Sequence, residues 1–293
     1  MNSANRFSLR TLILVVLLSG CGIQYSAAQA AGRAECRTVA SSILQRVVRY
    51  CVLLPPSYDT GKVRRFPILY YLHGLGDNER SLLNMGGWDM VEQMRDQKKI
   101  GEFVIVTPDG GRGFYVNSLD RKERYEDFFI KEFMPAIEKR YRASGTRAGR
   151  ALGGFSMGGY GALRFAFKYP QMFGAVAVHS AALFEDLPGD ATMLFGRNFR
   201  AFGNPLDKGY WKQNTPITLA RSAAGLGQLK IYLDCGQQDD YGFDAGTRLL
   251  HEILDQRRIP HEFHLYPGGH NWQYVAEHFD ESLAFLSRAL GVN

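Results

Sequence analysis

Gly154-Phe155-Ser156-Met157-Gly158 fits the pattern G-x-S-x-G. Glycine is common, so the pattern gains its meaning from its surroundings. A short apolar run, Ala151 to Phe155, precedes the serine, and a helix-forming stretch, Met157 to Tyr169, follows it. A nucleophilic serine presented at a sharp strand-to-helix turn requires that setting. The glycines have a steric reason. Side chains two residues away on either side would collide with the adjoining strand and helix. The helix N-terminus beneath the serine also favours developing negative charge.

A serine hydroxyl is a poor nucleophile until a base takes its proton. Of the seven histidines, His270 lies in Pro267-Gly268-Gly269-His270, a glycine loop between the last strand pattern and the final helix pattern. That is where the base belongs when the chain order is Ser, acid, His. His73 and His179 end strand patterns, and His179 could line the site. His251, His261, His264 and His278 read as surface or packing residues. For the acid, Asp239 and Asp240 lie in the loop after the strand Leu229–Leu233. Asp239 is the first choice and Asp240 the runner-up. A carboxylate there would hold the His270 tautomer and stabilise the imidazolium.

An acyl intermediate also needs donors aimed at its oxygen anion. The backbone N–H of Met157 is one candidate. The N–H of Leu75, in His73-Gly74-Leu75-Gly76, is the other; the competing reading of that segment is a plain turn. Tyr115, Asn117 and Trp272 lie in segments that should reach the same edge, as substrate contacts or as packing.

These residues need elements to position them. Apolar strand patterns occur at Val47–Leu54, Phe66–Leu72, Phe103–Val106, Ala151–Phe155, Ala175–Val178, Leu229–Leu233 and Glu262–Tyr266. Helical patterns lie between them at Trp88–Lys98, Tyr125–Tyr141, Met157–Tyr169, Phe243–Arg258 and Asn271–Ala289. Strands alternating with helices imply an α/β fold with a mostly parallel sheet and helices on both faces. Residues 35–293 read as a single domain. A cap-like insertion at about 183–228 is expected to roof part of the sheet's carboxyl edge. Cys36 and Cys51 flank a hairpin whose turn centres on Ile43-Leu44. They would then face each other, either as a disulfide or as two thiols. Cys235 reads as a buried small hydrophobe.

The 293 residues carry a net charge of +6, with the basic residues scattered. That argues against a nucleic-acid partner. Neither a zinc-like cysteine spacing nor a phosphate-binding glycine loop is present, so no metal or cofactor is expected. At the N-terminus Arg6 and Arg10 precede the apolar run Leu12–Leu18, the layout of an export signal. The run is too short for a stable transmembrane helix. Leu18-Ser19-Gly20-Cys21 looks like a bacterial lipobox that would leave Cys21 acylated. Ala28-Gln29-Ala30 offers an alternative cleavage site for a soluble form. The export segment thus covers 1–30, and a lipid anchor on Cys21 would be the protein's membrane contact. The expected location is the periplasm or cell surface, or the medium for the soluble form.

The chain resembles the putative-esterase family of α/β hydrolases. That family includes S-formylglutathione hydrolases, feruloyl and acetylxylan esterases of carbohydrate esterase family 1, and mycolyltransferases. The resemblance runs from about Cys36 onward. It is carried by Leu54-Pro55-Pro56-Ser57-Tyr58, Tyr71-Leu72-His73-Gly74, Pro108-Asp109-Gly110, Gly154 through Ala162, Cys235-Gly236-Gln237-Gln238-Asp239 and Gly268-Gly269-His270. It implies an α/β-hydrolase fold, metal-free ester cleavage, and Ser156, Asp239 and His270 as the catalytic set, which favours Asp239 over Asp240. It also suggests small-molecule or glycan-linked esters as substrates, such as acyl or feruloyl groups on polysaccharide. An acyltransferase acting on a sugar hydroxyl and a non-catalytic binding protein on the same scaffold are the rival readings.

Overall fold

A computed structural model describes residues 32–60, 63–187 and 200–292. The expected export segment therefore lies outside the described residues. Eight strands form one sheet: β1 (Arg33–Ser41), β2 (Arg46–Leu54), β3 (Ile68–Leu72), β4 (Val104–Pro108), β5 (Arg150–Phe155), β6 (Ala175–His179), β7 (Lys230–Gly236) and β8 (Glu262–Tyr266). Their order is β1-β2-β4-β3-β5-β6-β7-β8. β1 and β2 pair antiparallel, as do β2 and β4, and every later pairing is parallel. This is the mostly parallel α/β-hydrolase arrangement that the strand–helix alternation implies.

β3, β4 and β6 are buried at every position, as strands covered on both faces must be. Successive β3 residues serve opposite layers. Ile68, Tyr70 and Leu72 join one core with Phe129, Phe133 and Phe165, while Leu69 and Tyr71 join the other with Val91, Val275 and Phe279. The helices Gly87–Asp96 and Trp272–Ala289 cover the second face. The first face is covered by Tyr125–Arg140, Met157–Lys168 and Phe243–Gln256.

The first hairpin has the expected register. Cys36 opposes Cys51, and a disulfide joins them. β1 is an exposed edge strand, and Arg33, Glu35 and Arg37 ion-pair along it. Charges on an edge discourage pairing with another chain. The expected helix Tyr125–Tyr141 is present with an interruption. Tyr125–Phe128 passes into a π-helical segment, Phe129–Phe133, before Met134–Arg140. Pro135 supplies the reason, because it has no N–H for the helical ladder and its ring crowds the preceding turn.

In the described part of the 183–228 insertion, the helix Pro216–Ser222 packs beside Met157–Lys168 and Phe243–Gln256. Asn214 explains the placement. Its Oδ1 accepts from Arg164 Nη2 at 2.5 Å, and its carbonyl accepts from Tyr160 Oη at 2.9 Å. Arg164 also donates to Glu126 at 2.8 Å, with both side chains almost fully buried. Burial would raise the Glu126 carboxyl, but Arg164, Lys168 and the Tyr169 hydroxyl outweigh it and hold it below the usual carboxylate range. Removing one partner of a buried pair leaves an uncompensated charge, so Glu126→Ala should cost about 3–5 kcal/mol. Urea denaturation of the two proteins measures this; a loss under about 1 kcal/mol would show that the pair does not hold the insertion.

Candidate active site

β5 ends at Phe155, and the helix Met157–Lys168 starts one residue after Ser156. Ser156 takes the whole change of direction at φ 57°, ψ −118°. That conformation costs a residue with a side chain about 1–3 kcal/mol. The fold holds it there with backbone bonds. Ser156 N donates to His179 O at 3.1 Å, and Ser156 O accepts from Ala182 N at 3.0 Å. The flanking glycines are sterically required. A Cβ on Gly158 would lie 1.9 Å from Leu72 O, and one on Gly154 would lie 2.6 Å from Gly158 C.

His270 Nε2 lies 2.9 Å from Ser156 Oγ, and His270 Nδ1 lies 2.7 Å from Asp239 Oδ2. A carboxylate oxygen only accepts, so the proton sits on Nδ1 and leaves the Nε2 lone pair facing the serine. Asp239 has no exposed side-chain surface. Its other oxygen accepts from Tyr241 N at 3.0 Å and Phe243 N at 3.4 Å, which orients the carboxylate. Asp240 has a different place: its Oδ2 accepts from the backbone N of His270 at 3.0 Å. Of the two adjacent acids, one meets the imidazole and the other holds the loop that carries it. Cys235 Sγ donates weakly to Asp239 Oδ2 at 3.7 Å. Burial pushes that thiol well above its ordinary range, so it stays protonated and unreactive.

Leu75 and Met157 meet at the same cleft. Gly74–Asp77 is a tight turn closed by Asp77 N to Gly74 O at 3.2 Å, with Gly76 at φ +93°. Only glycine adopts that third position easily. Met157 is the first residue of its helix, where an N–H has no intrahelical acceptor. The loop bearing Leu75 is pinned from behind by His73. Its Nδ1 donates to Gly74 O at 2.8 Å, and its Nε2 accepts from Gly110 N at 2.8 Å.

Residues 41–286 match the family model described as Putative esterase. The chain belongs to the Putative esterase family. An esterase of Mycobacterium tuberculosis (strain H37Rv) is 34% identical over 244 residues, covering 75% of this chain and 51% of the relative. The chain thus spans about half the length of that relative. An acetyl esterase of Caldicellulosiruptor saccharolyticus is 26% identical over 229 residues, covering 75% of this chain and 83% of that protein. Among solved structures, a ferulic acid esterase superposes with a TM-score of 0.79 at 27% identity, over 89% of this chain and 99% of the other. An S-formylglutathione hydrolase from Agrobacterium tumefaciens shares the fold with a TM-score of 0.73 at 19% identity, over 89% of this chain and 97% of the other.

Within this esterase-family scaffold the cleft around Ser156 has a volume of about 240 Å³. Leu75, Met157 and His270 line it, together with Asp77, Phe114, Phe155, Tyr241 and Phe243. Tyr115 does not belong to it. Its ring is buried, its Oη donates to His73 O at 2.9 Å, and it fills space left by Gly110 and Gly161. Tyr115 is a strut under the Leu75 loop. Asn117 is also buried and committed: its Oδ1 accepts from Asp127 N at 3.1 Å and its carbonyl from Tyr210 Oη at 2.6 Å. Trp272 lines a small hollow next door, sharing Gly74, Asp77 and Phe155 with the cleft, and its Nε1 donates to Met85 O at 2.8 Å. His179 faces away from the cleft, against the helix Trp272–Ala289.

His270 has an aromatic enclosure that no sequence motif announces. Phe155 stacks on the imidazole at 4.6 Å, while Tyr241 and Phe243 meet it edge-on at 4.9 and 5.1 Å. An aromatic face attracts a cation, so Phe155 favours the imidazolium when it forms. The available signal was position: Phe155 is inside the serine motif, and the other two closely follow Asp239. Because the turn has no room for a Cβ, Gly158→Ala should either prevent folding or displace Ser156 and cut activity by at least about 100-fold. Circular dichroism alongside an ester assay separates the two; a folded variant with ordinary activity would show that the contact is slack.

Proposed function

We propose that this protein is a serine carboxylesterase working through an acyl-enzyme. The observation that carries the reading is the chain Ser156–His270–Asp239, with links of 2.9 and 2.7 Å, opening into a cleft. His270 Nε2 takes the Ser156 proton as Oγ attacks the ester carbonyl. The Met157 and Leu75 amides hold the oxyanion. His270 then protonates the departing alcohol. Water, deprotonated by the same nitrogen, releases the acid and restores Ser156.

The enclosure formed by Phe114, Phe155, Tyr241 and Phe243 suits an acyl group with an apolar or aromatic body. Together with the likeness to an acetyl esterase and a ferulic acid esterase, this supports acyl esters such as acetyl or feruloyl esters as the substrate class. The Cys36–Cys51 bridge supports an exported enzyme, because such bonds persist in oxidising compartments.

Hydrolysis of p-nitrophenyl acetate, butyrate and octanoate and of methyl ferulate tests the reading. Wild type should turn over at least one of them, and Ser156→Ala should lose about 10⁴-fold or more along with fluorophosphonate labelling. Activity that survives in Ser156→Ala would remove the serine from the mechanism. In the same assay Asp239→Asn should lower kcat by about 10³–10⁴-fold, whereas Asp240→Asn should cost about tenfold at most. The reverse ranking would transfer the acid's role to Asp240.

A further inference from the structure

Parallel strands carry Ser156 at their carboxyl edge, and a second cluster of chemically able side chains sits at the opposite edge. The helix Phe243–Gln256 returns to that edge and ends there, and β8 starts from it. His251 and Asp255 are four residues apart on the helix and so share a face. His261 immediately precedes β8. His251 Nδ1 lies 2.7 Å from His261 Nε2. Asp255 Oδ2 is 3.5 Å from His251 Nε2, and its Oδ1 is 4.0 Å from His261 Nε2. One ligand atom from each of the three residues lies within 4.8 Å of the others.

With both imidazoles neutral, the cluster keeps one unpaired acceptor beside a carboxylate. His261 Nδ1 lies 2.8 Å from Ile259 O, and a carbonyl only accepts, so Nδ1 carries the hydrogen and Nε2 a lone pair. His251 Nδ1 must then donate to that lone pair. In neutral His251 this leaves a second lone pair, on Nε2, facing the Asp255 carboxylate. A positive charge resolves the conflict, either as a second proton on His251 or as a metal ion held by the same lone pairs. The His261 side chain is only 3% exposed, so its lone pair is directed into the cluster. His251 is held by stacking on Phe263 at 4.2 Å, with the planes 10° apart.

We propose that His251, Asp255 and His261 bind one divalent transition-metal ion, with zinc as the best fit. Two imidazoles and a carboxylate are ordinary zinc ligands, with water completing the tetrahedron. Oxygen-seeking cations such as magnesium match the set poorly. The hydrogen bond from His261 Nδ1 to a backbone carbonyl is the support a ligating histidine ordinarily has, because it fixes the tautomer that leaves Nε2 free. Ligand atoms around tetrahedral zinc stand roughly 3.3 Å apart, given bonds of about 2.0–2.1 Å. The imidazole nitrogens therefore move slightly apart and Asp255 swings inward. Asp255 is 64% exposed and free to do so. The ion's role is structural. It ties the end of the helix that follows Asp239 to the start of the strand that leads to His270.

Zinc titration of the untagged full chain by calorimetry, paired with thermal unfolding, tests the site. One zinc per chain should bind, with Tm rising by several degrees at saturation. His251→Ala should abolish both effects, Asp255→Asn should weaken binding by at least about tenfold, and magnesium should produce neither. His251 and Asp255 are partly exposed, so these variants are expected to fold, and their unfolding curves without metal check this. Absence of saturable zinc binding to the wild type, or binding unchanged in folded His251→Ala, overturns the proposal.

Discussion

The contact between the Leu72 carbonyl and the elbow sets the geometry of the whole site. β3 and β5 are neighbours in parallel register, with Leu72 opposite Gly154. The chain leaves β5, turns through Ser156, and brings Gly158 back against Leu72 O so closely that a methyl group there would overlap it. Two consequences follow. Ser156 is pressed into a conformation it would not choose, which lifts its Oγ out of the sheet. Leu72 also leads straight into His73-Gly74-Leu75, so the same contact ties the Leu75 turn to the helix that begins at Met157. Ser156 and the proposed oxyanion donors thus share one steric reference point, and the cost of the strained serine is offset by the packing that surrounds it.

His270, the proposed base, is held by a different device, a pair of loops zipped together. Gln238 N donates to Gly268 O at 3.0 Å, and Gln238 Oε1 accepts from Gly268 N at 2.8 Å. Gly236 packs so tightly on Gly268 that no larger residue would fit. Asp239 and Asp240 then divide the work, one on the imidazole and one on the His270 amide. The aromatic rings fill the remaining directions. An imidazole held by its ring edge, its backbone and its faces has little freedom to leave the serine, which is the preorganisation that proton transfer needs.

The sequence disclosed the parts of this design whose physics is local. Strands covered on both faces appear as unbroken apolar runs, and the elbow shows its glycines because nothing larger fits. The turn at Ile43-Leu44 sets the hairpin register and with it the opposition of Cys36 and Cys51. Tyr115 and Asn117 were harder to read. A tyrosine near a sheet edge looks the same in sequence whether it meets a substrate or props up a loop. The clue lay in Gly110 and Gly161, whose missing side chains make room for the Tyr115 ring, yet they are 51 residues apart and meet only in three dimensions. The π segment had a local sign in Pro135. The aromatic residues around His270 had almost none, since a phenylalanine announces no chemistry by type.

The fold also contains a second Ser–His–Asp set, and it shows why residue types alone do not make a site. Ser282 Oγ lies 2.9 Å from His179 Nε2, and His179 Nδ1 lies 2.7 Å from Asp234 Oδ2. All three residues are buried. The Ser282 hydroxyl gives its one hydrogen to Phe279 O at 2.9 Å, so toward His179 it can only accept. His179 Nε2 is then a donor and has no lone pair with which to activate the serine. Ser282 sits buried in a regular helix with no strained turn to expose it. The difference from Ser156 lies in three features: access to a cleft, a histidine lone pair within reach of the hydroxyl, and the Leu75 and Met157 residues lining that same cleft. The Leu72 contact supplies the strained turn, and the zipped loops hold the His270 lone pair toward it.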